Sequence, residues 1–497
     1  MGIIRRQGSK TLLVNYGGAL VGALAVLFVY SSNDEIYGYA HWLFSTASLL
    51  LPLASLGILS LIIKFYPIYS ESDSRKYNGF LSLILLLLGL AFIVFLLMWH
   101  GLTPYFYKFL IKGDMNYELF QEYEFFILSL VLLLVLQRFL TAHASNRLRI
   151  VVPNLVTQFG YKVYLPIIIL LYAWYDWTIY GFSWAIIAFF ALTIVILSFY
   201  LVSLDAFHFG MIRRPGKAFR YSELSSFAFY GILNQLGNTI AMRIDSVMIP
   251  ILLGSTSFNS YYIKAFFIAN FIEMPTRSLN AIASPIISKA WKDGNTREIK
   301  MIYQKASNNL FLAGAFIFIG IWYCLDDLVA ISSDPDSFPH VRIIFLLLGM
   351  AKLIDMLTSV NSYIIGFSKL YRYNLLFLLF LATANILLNY NLISSQGISG
   401  AAMATSLSIL LFNLLKLGFI WRRFSMLPFT YGTTKTLALF VVLFSLYFVI
   451  DFGFHPLINI LIKGLLVSLI YLPIAYFWKI SPDVNESIEA FLNKLKA

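Results

Sequence analysis

The stretch MRIDSVMIP, at positions 242–250, places Arg243 and Asp245 two residues apart within an apolar segment that is long enough to cross a membrane. A charged side chain at the centre of a bilayer costs about 2.5–3.5 kcal/mol on insertion scales. Residues two apart point to nearly opposite sides of a helix, so these two charges cannot pair with each other. Each therefore needs a partner on another helix, in water or on a ligand, and Asp245 is expected to hold a neighbouring cation or to take part in ion coupling.

Other charges inside apolar segments fall at helical spacing. Glu273 and Arg277 are four residues apart and Lys352 and Asp355 are three apart, which predicts a local ion pair on each helix. Lys162 lies near the middle of its segment and has no acidic residue within one turn. Polar stripes of this kind must face protein or water, because lipid would leave their polar groups unsatisfied.

Cations at mid-membrane that have no acidic residue nearby in the sequence favour a substrate that carries negative charge. Arginine binds phosphate groups with two donors at once, and lysine contributes a point charge, so Lys162 and Arg243 suit a pyrophosphate. A purely structural role in helix packing remains the alternative, and Lys264 and Lys463, nearer the ends of their segments, are expected to extend to the membrane interface. The candidate substrate-binding residues are Lys162, Arg243, Asp245, Glu273, Arg277, Lys352, Asp355 and Asn238.

The composition is that of a multi-pass membrane protein. Of the 497 residues, 60% are hydrophobic and only 12% are charged, and many apolar runs reach the roughly 20 residues that cross a bilayer. The single cysteine, Cys324, and six scattered histidines give no disulfide framework and no metal-ligand spacing. We therefore expect no catalytic residues, no metal and no cofactor, and a protein that is not an enzyme.

The positions of the basic residues predict the topology. We identify fourteen spans, and 27 of the 36 lysines and arginines, Arg138 and Lys416 among them, fall on one side of the membrane against three on the other. By the positive-inside rule, both termini are cytoplasmic. The net charge of +12 is thereby explained by the cytoplasmic loops, and no nucleic-acid partner is expected.

An internal repeat predicts the domain organisation. A shift of 223 residues superposes the first two spans on the seventh and eighth, which indicates two parallel six-helix repeats around a cavity. The predicted fold is an all-α polytopic membrane protein with two pseudo-symmetric six-helix lobes and two extra C-terminal helices. Its parts are 1–222 (spans 1–6), 223–430 (spans 7–12), 431–480 (spans 13–14) and 481–497, a short cytoplasmic tail. The tail is predicted to form an amphipathic helix, with Ser481 as its N-cap and Pro482 at its first helical position.

Three stretches resemble the polysaccharide transporters (Wzx-type flippases) of the multidrug/oligosaccharidyl-lipid/polysaccharide (MOP) exporter superfamily. They are EIYGYAHWLFSTASLLLPLASLGILSLIIKFYP at 35–67, the segment from MRIDSVMIP to SPIISKAW at 242–291, and GISGAAMATSLSILLFNLLK at 397–416. The resemblance implies alternating access of two lobes in a bacterial inner membrane. It also implies movement of oligosaccharides linked to polyprenyl pyrophosphate, the repeat units of O-antigen, capsule or exopolysaccharide.

The resemblance leaves the coupling ion open between H+ and Na+, and it implies membrane lipids and polysaccharide polymerase or assembly proteins as partners. Lipid II flippases have a similar plan, but they usually carry basic residues in the first helix, and the segment 11–30 has no charge. Multidrug exporters often carry a carboxylate there, which is also missing. A small-molecule exporter coupled to ions and a lipid II flippase remain the alternative functions.

Overall fold

A computed structural model describes residues 2–72, 79–111, 118–206, 221–332, 338–447, 453–486 and 489. Within these ranges the regular secondary structure is entirely helical. The helices of the first half are α1 (Gly2–Phe28), α2 (Asp34–Ser55), α3 (Ile58–Ser72), α4 (Gly79–Ile111), α5 (Glu118–Asn146), α6 (Val151–Asn154), α7 (Gly160–Trp174), α8 (Ile179–Ser203) and α9 (Tyr221–Leu253). Those of the second half are α10 (Ser257–Ala269), α11 (Met274–Lys292), α12 (Thr296–Ile331), α13 (Phe338–Thr358), α14 (Asn361–Phe367), α15 (Arg372–Phe424), α16 (Tyr431–Leu446) and α17 (Pro456–Phe477).

Most of these helices have the length and composition of membrane spans. Among the described residues, nine are long and apolar enough to cross a bilayer, or eleven if each of two bent helix pairs counts as one span. Three of the fourteen predicted spans are not counted separately in this number. One shares the long helix α15 with its neighbour, and the two meet at Gly397, where φ is 63° and ψ is −143°. One is divided between α10 and α11, and one is the short α16.

The chain forms two compact units, Met1–Ser260 and Tyr261–Ala497. In the first unit, α2 packs against α5 and α9, and α5 packs against α8. Trp42 and Leu43 of α2 are fully buried there. The sequence prediction assigns α9 to the second lobe, whereas α9 packs on α2 and α3 of the first unit; the lobe boundaries themselves stay a prediction.

The second unit is organised around α12. This helix packs against α11, α13, α16 and α17, and α13 packs against α15. Two buried tyrosines fasten the last two helices to it: Tyr323 donates to the carbonyl of Leu443 at 2.7 Å, and Tyr471 donates to the carbonyl of Leu312 at 2.8 Å. The helices that the repeat leaves outside both lobes are thus hydrogen-bonded parts of this unit.

Several helices are interrupted within the membrane-spanning part. The pair α2 and α3 bends by 64°, with Leu56 and Gly57 in the left-handed region, and the pair α13 and α14 bends by 45° next to Ser359, which has φ 48°. A turn at 270–273 separates α10 from α11, and a π-helical turn, Leu155–Phe159, precedes α7. A broken helix leaves backbone groups that lipid cannot satisfy, so polar side chains collect at such points.

Candidate functional site

A polar cavity opens within the first unit, between α2, α5 and α9. Its volume is about 170 Å³, which is enough for several water molecules. The cavity is lined by Phe44, Ser48, Leu51, Leu134, Arg138, Gln235, Asn238, Thr239, Met242 and Arg243. Two arginines therefore share one small cavity with hydroxyl and amide groups, on helices whose other residues are mostly apolar.

Arg243 is the residue of this cavity that the sequence identified. It lies ten residues before the end of α9, about 15 Å along the helix, and it is half-buried. Its guanidinium carbon lies 4.7 Å from the centre of the Phe44 ring. Among the described residues, no carboxylate lies within ion-pair distance of it and no hydrogen-bond acceptor satisfies it.

Arg138 is the residue that sequence reasoning missed. The topology count assigns it to a cytoplasmic loop, but it belongs to α5, eight residues before the end of that helix, and lines the cavity. Its positive charge interacts electrostatically with that of Arg243. Arg138 is exposed and Arg243 half-buried. Because like charges repel each other, a site with two guanidinium groups favours an anion. The position of Arg138 inside one of the fourteen predicted spans was the signal that could have found it.

The other predicted residues of the first unit lie at different places. Asn238 lines the cavity and donates its amide to the carbonyl of Asn234 at 2.8 Å. Lys162 is half-buried and lies against Gly18 of α1. It is not among the residues that line the cavity. Asp245 is 3% exposed and lies outside the cavity as well. Of these predicted residues, Arg243 and Asn238 thus line the cavity, whereas Lys162 and Asp245 are not among its lining residues.

The predicted local ion pairs of the second unit are wrong. Glu273 forms an ion pair with Lys352, which lies on a different helix. The reason is that Glu273 belongs to the turn before α11, where the spacing of a continuous helix no longer holds. Arg277 is exposed and has no ion pair among the described residues, while Asp355 accepts a hydrogen bond from Asn413 at 3.1 Å.

A directional chain of hydrogen bonds crosses the break between α13 and α14. The ammonium of Lys416 donates to Ser362 at 2.6 Å, the Ser362 hydroxyl donates to Asn361 at 3.3 Å, and the Asn361 amide donates to Asn413 at 3.1 Å. Asn413 then donates to Asp355. The chain runs from a group that only donates to one that only accepts, so the two end charges fix its direction.

Lys416 is the second residue that the topology count misplaced. It was assigned to a cytoplasmic loop, but it is 3% exposed within α15 and lies three residues after Asn413. The side chain of Asn413 also accepts from Thr358 at 2.8 Å, so one amide holds both sides of the helix break. The i, i+3 spacing of two polar residues within a predicted span was the available signal.

The prediction that Lys264 and Lys463 extend to the membrane interface is also wrong. Both are buried, at 3% and 5% exposure. Lys463 forms an ion pair with Asp327 of α12 at 2.6 Å, and Asn459 donates to the other carboxylate oxygen at 2.9 Å. In the part of the chain that the structure describes, no three His, Cys, Asp or Glu side chains come together as a metal site would require.

Comparisons with known proteins identify the fold. No protein-family profile and no curated sequence matches the chain. A solved structure of the lipid II flippase MurJ in an inward closed conformation is similar over 95% of this chain and 99% of its own, with a TM-score of 0.67 at 15% identity. An inward-facing multidrug-resistance MATE transporter of the MOP superfamily covers 82% of this chain and 94% of its own, with a TM-score of 0.57 at 15% identity.

An outward-facing MATE transporter of the same superfamily matches as well, with a TM-score of 0.52 at 13% identity, covering 85% of this chain and 95% of its own. Identities this low establish the architecture and not the substrate. The apolar helices and the shared architecture agree with the membrane fold that the sequence predicts. This chain is a multi-pass membrane protein with the fold of the MOP-superfamily transporters.

Proposed function

We propose that this protein is a flippase that moves oligosaccharides linked to polyprenyl pyrophosphate from the inner to the outer leaflet of the bacterial inner membrane. The two lobes would alternate between inward-open and outward-open states. The proposal rests above all on the pair Arg138 and Arg243, two cations on the apolar helices α5 and α9 that line one cavity. No ion pair with a described carboxylate neutralises Arg243.

The chemistry of the cavity matches a charged headgroup on a lipid. The two guanidinium groups can each donate two parallel hydrogen bonds to phosphate oxygens. Asn238, Gln235 and Thr239 supply neutral polar groups to the same wall, which suits the hydroxyl-rich sugar that follows a pyrophosphate. The lipid chain needs no polar site and would remain in the membrane during transfer.

The test is the rate of flipping in proteoliposomes. A polyprenyl pyrophosphate oligosaccharide is incorporated with the purified protein, and a membrane-impermeant reagent reports how much of it reaches the outer leaflet. Loss of one charge-assisted hydrogen bond costs about 1.5–3 kcal/mol, so Arg138→Gln and Arg243→Gln should each slow flipping about 10- to 150-fold. Arg297→Gln, at an exposed arginine near the start of α12, is the matched control and should flip at the wild-type rate.

Normal flipping in both cavity variants would overturn the proposal. The same vesicles prepared with lipid II test the alternative that the resemblance raised, because lipid II also carries a pyrophosphate. Faster transfer of lipid II by the wild-type protein would move the substrate class from oligosaccharide repeat units to the peptidoglycan precursor. Lys162, Asp245, Glu273, Arg277, Lys352 and Asp355 stay candidates for other steps of the cycle, and the cavity does not include them.

A further inference from the structure

Arg243 rests on an aromatic ring, whereas buried arginines usually pair with an acid. The guanidinium lies over the face of Phe44, 4.7 Å from the ring centre. Stacking leaves the edge of a guanidinium, where its five N–H donors are, open to other groups. A carboxylate in the same place would occupy two of those donors and neutralise the charge. The ring therefore stabilises Arg243 without occupying the N–H donors that an anionic ligand would bind.

Two further aromatic rings pack against Phe44. Its ring stacks against Tyr161 of α7, with centroids 5.7 Å apart and planes 27° apart, and against Phe190 of α8, at 5.9 Å and 18°. Phe190 is 3% exposed. Three helices thus fix the plane of the ring on which the guanidinium lies, and a fixed plane restricts the orientation of the cation.

A second polar group lies beside this stack. The hydroxyl of Tyr161 is buried, and no hydrogen-bond partner for it exists among the described residues. The positive charge of Arg243 interacts electrostatically with the same hydroxyl. A buried hydroxyl without a partner costs free energy. Tyr161 does not itself line the cavity, so this hydroxyl belongs to the surroundings of the stack and is not counted as a ligand contact.

We propose that Phe44 is the positioning residue of this site: it holds the Arg243 guanidinium with its donor edge toward the cavity, ready for an anionic headgroup. The inference rests on the proposed function, and it adds how the Arg243 guanidinium is kept free to bind an anionic headgroup. An arginine paired with an internal acid would have to break that pair before binding a phosphate. An arginine on a ring binds without that cost, because the ring and the phosphate occupy different parts of the guanidinium.

The experiment measures the binding of inorganic pyrophosphate to the detergent-purified protein by isothermal titration calorimetry. Cation–π contacts of this kind correspond to about a 3- to 30-fold change in affinity. Phe44→Leu should weaken binding by that factor, and Phe44→Met provides the same test if the leucine variant does not fold. Phe44→Tyr keeps the ring face and should restore affinity to near the wild-type value. Phe182→Leu, at a buried phenylalanine outside the cavity, controls for loss of packing.

A double-mutant cycle separates positioning from packing. If Phe44 acts through Arg243, Phe44→Leu should have no further effect on affinity in the Arg243→Gln protein. Additive effects, or full affinity in Phe44→Leu, would overturn the positioning role while leaving the proposed function intact. If the wild-type protein does not bind pyrophosphate and Arg243→Gln does not slow flipping, the proposed function itself fails.

Discussion

The buried ion pair between α12 and α17 gives a prediction with a calculable size. Asp327 and Lys463 are 2.6 Å apart, and their side chains are 9% and 6% exposed. Asn459 donates to the second carboxylate oxygen. Substituting Asp327→Asn keeps the size of the side chain and removes its charge, which leaves the ammonium of Lys463 buried without a counter-charge.

The expected loss follows from this geometry. Removing one member of a buried ion pair costs about 3–5 kcal/mol, because the remaining charge stays desolvated. Removing both charges at once, in Asp327→Asn with Lys463→Met, should recover most of that loss, since a neutral pair leaves no buried charge. Lys305 and Asp483 form an ion pair that is 56% and 39% exposed, so Lys305→Gln should cost less than about 1 kcal/mol.

The assay is the free energy of unfolding in mixed micelles, titrated with sodium dodecyl sulfate and followed by tryptophan fluorescence. The wild type, Asp327→Asn and the double variant are compared directly, and Lys305→Gln is the reference at the exposed pair. If Asp327→Asn loses no more stability than Lys305→Gln, water must reach the Lys463 ammonium, and the account of this pair as a dry link between α12 and α17 is refuted. A double variant as unstable as the single one would show that the polar groups matter beyond their charges.

Three further predictions concern the helix breaks, the close packing and the tail. Asn413→Leu removes the amide that holds both sides of the break between α13 and α14, and it should speed hydrogen exchange in α14 at least tenfold by mass spectrometry while exchange in α8 is unchanged. Gly38→Ala should destabilise the protein by about 1–3 kcal/mol in the same titration, because the Cβ of the alanine would lie 1.8 Å from the carbonyl oxygen of Thr256. In the control, Gly89→Ala, the added Cβ meets no atom within 4 Å, so this variant should be neutral or stabilising. Hydrogen bonds from Lys305 and an asparagine hold the pKa of Asp483 below its usual value. The stabilisation by this carboxylate is therefore full above the ordinary pKa and is lost as the pH falls through the depressed one. The difference in Tm between wild type and Asp483→Asn should be constant from about pH 5 to 8 and begin to shrink only near the ordinary carboxyl pKa of about 4, disappearing once the pH is below the depressed pKa; a difference that changes between about pH 5 and 8 would contradict this.

The amino-acid sequence by itself determined the membrane class and the helical architecture. A long run of apolar residues indicates a membrane-spanning helix without any knowledge of the rest of the fold. The reason is that each such segment must satisfy its own backbone hydrogen bonds in lipid, and a helix does so within the segment. The same reasoning marked Arg243 as a charge that needs a polar surrounding, and it placed Ser481 at the start of the tail helix, where it accepts from the backbone of Val484 at 3.3 Å. Residues 487–488 and 490–497 of that predicted helix lie outside the described part of the chain.

Only the tertiary structure decided which charges meet. Spacing along one helix predicted that Glu273 would pair with Arg277, but a turn interrupts the helix there and Glu273 reaches Lys352 instead. Arg138 and Lys416 looked like loop charges because they lie near the ends of their spans, and packing placed them in polar clusters. A helical wheel assumes an unbroken helix and contains no neighbours, so it fixes which face a residue occupies. The partner on that face depends on where helices break and which helix packs alongside, and those distances exist only in the folded chain.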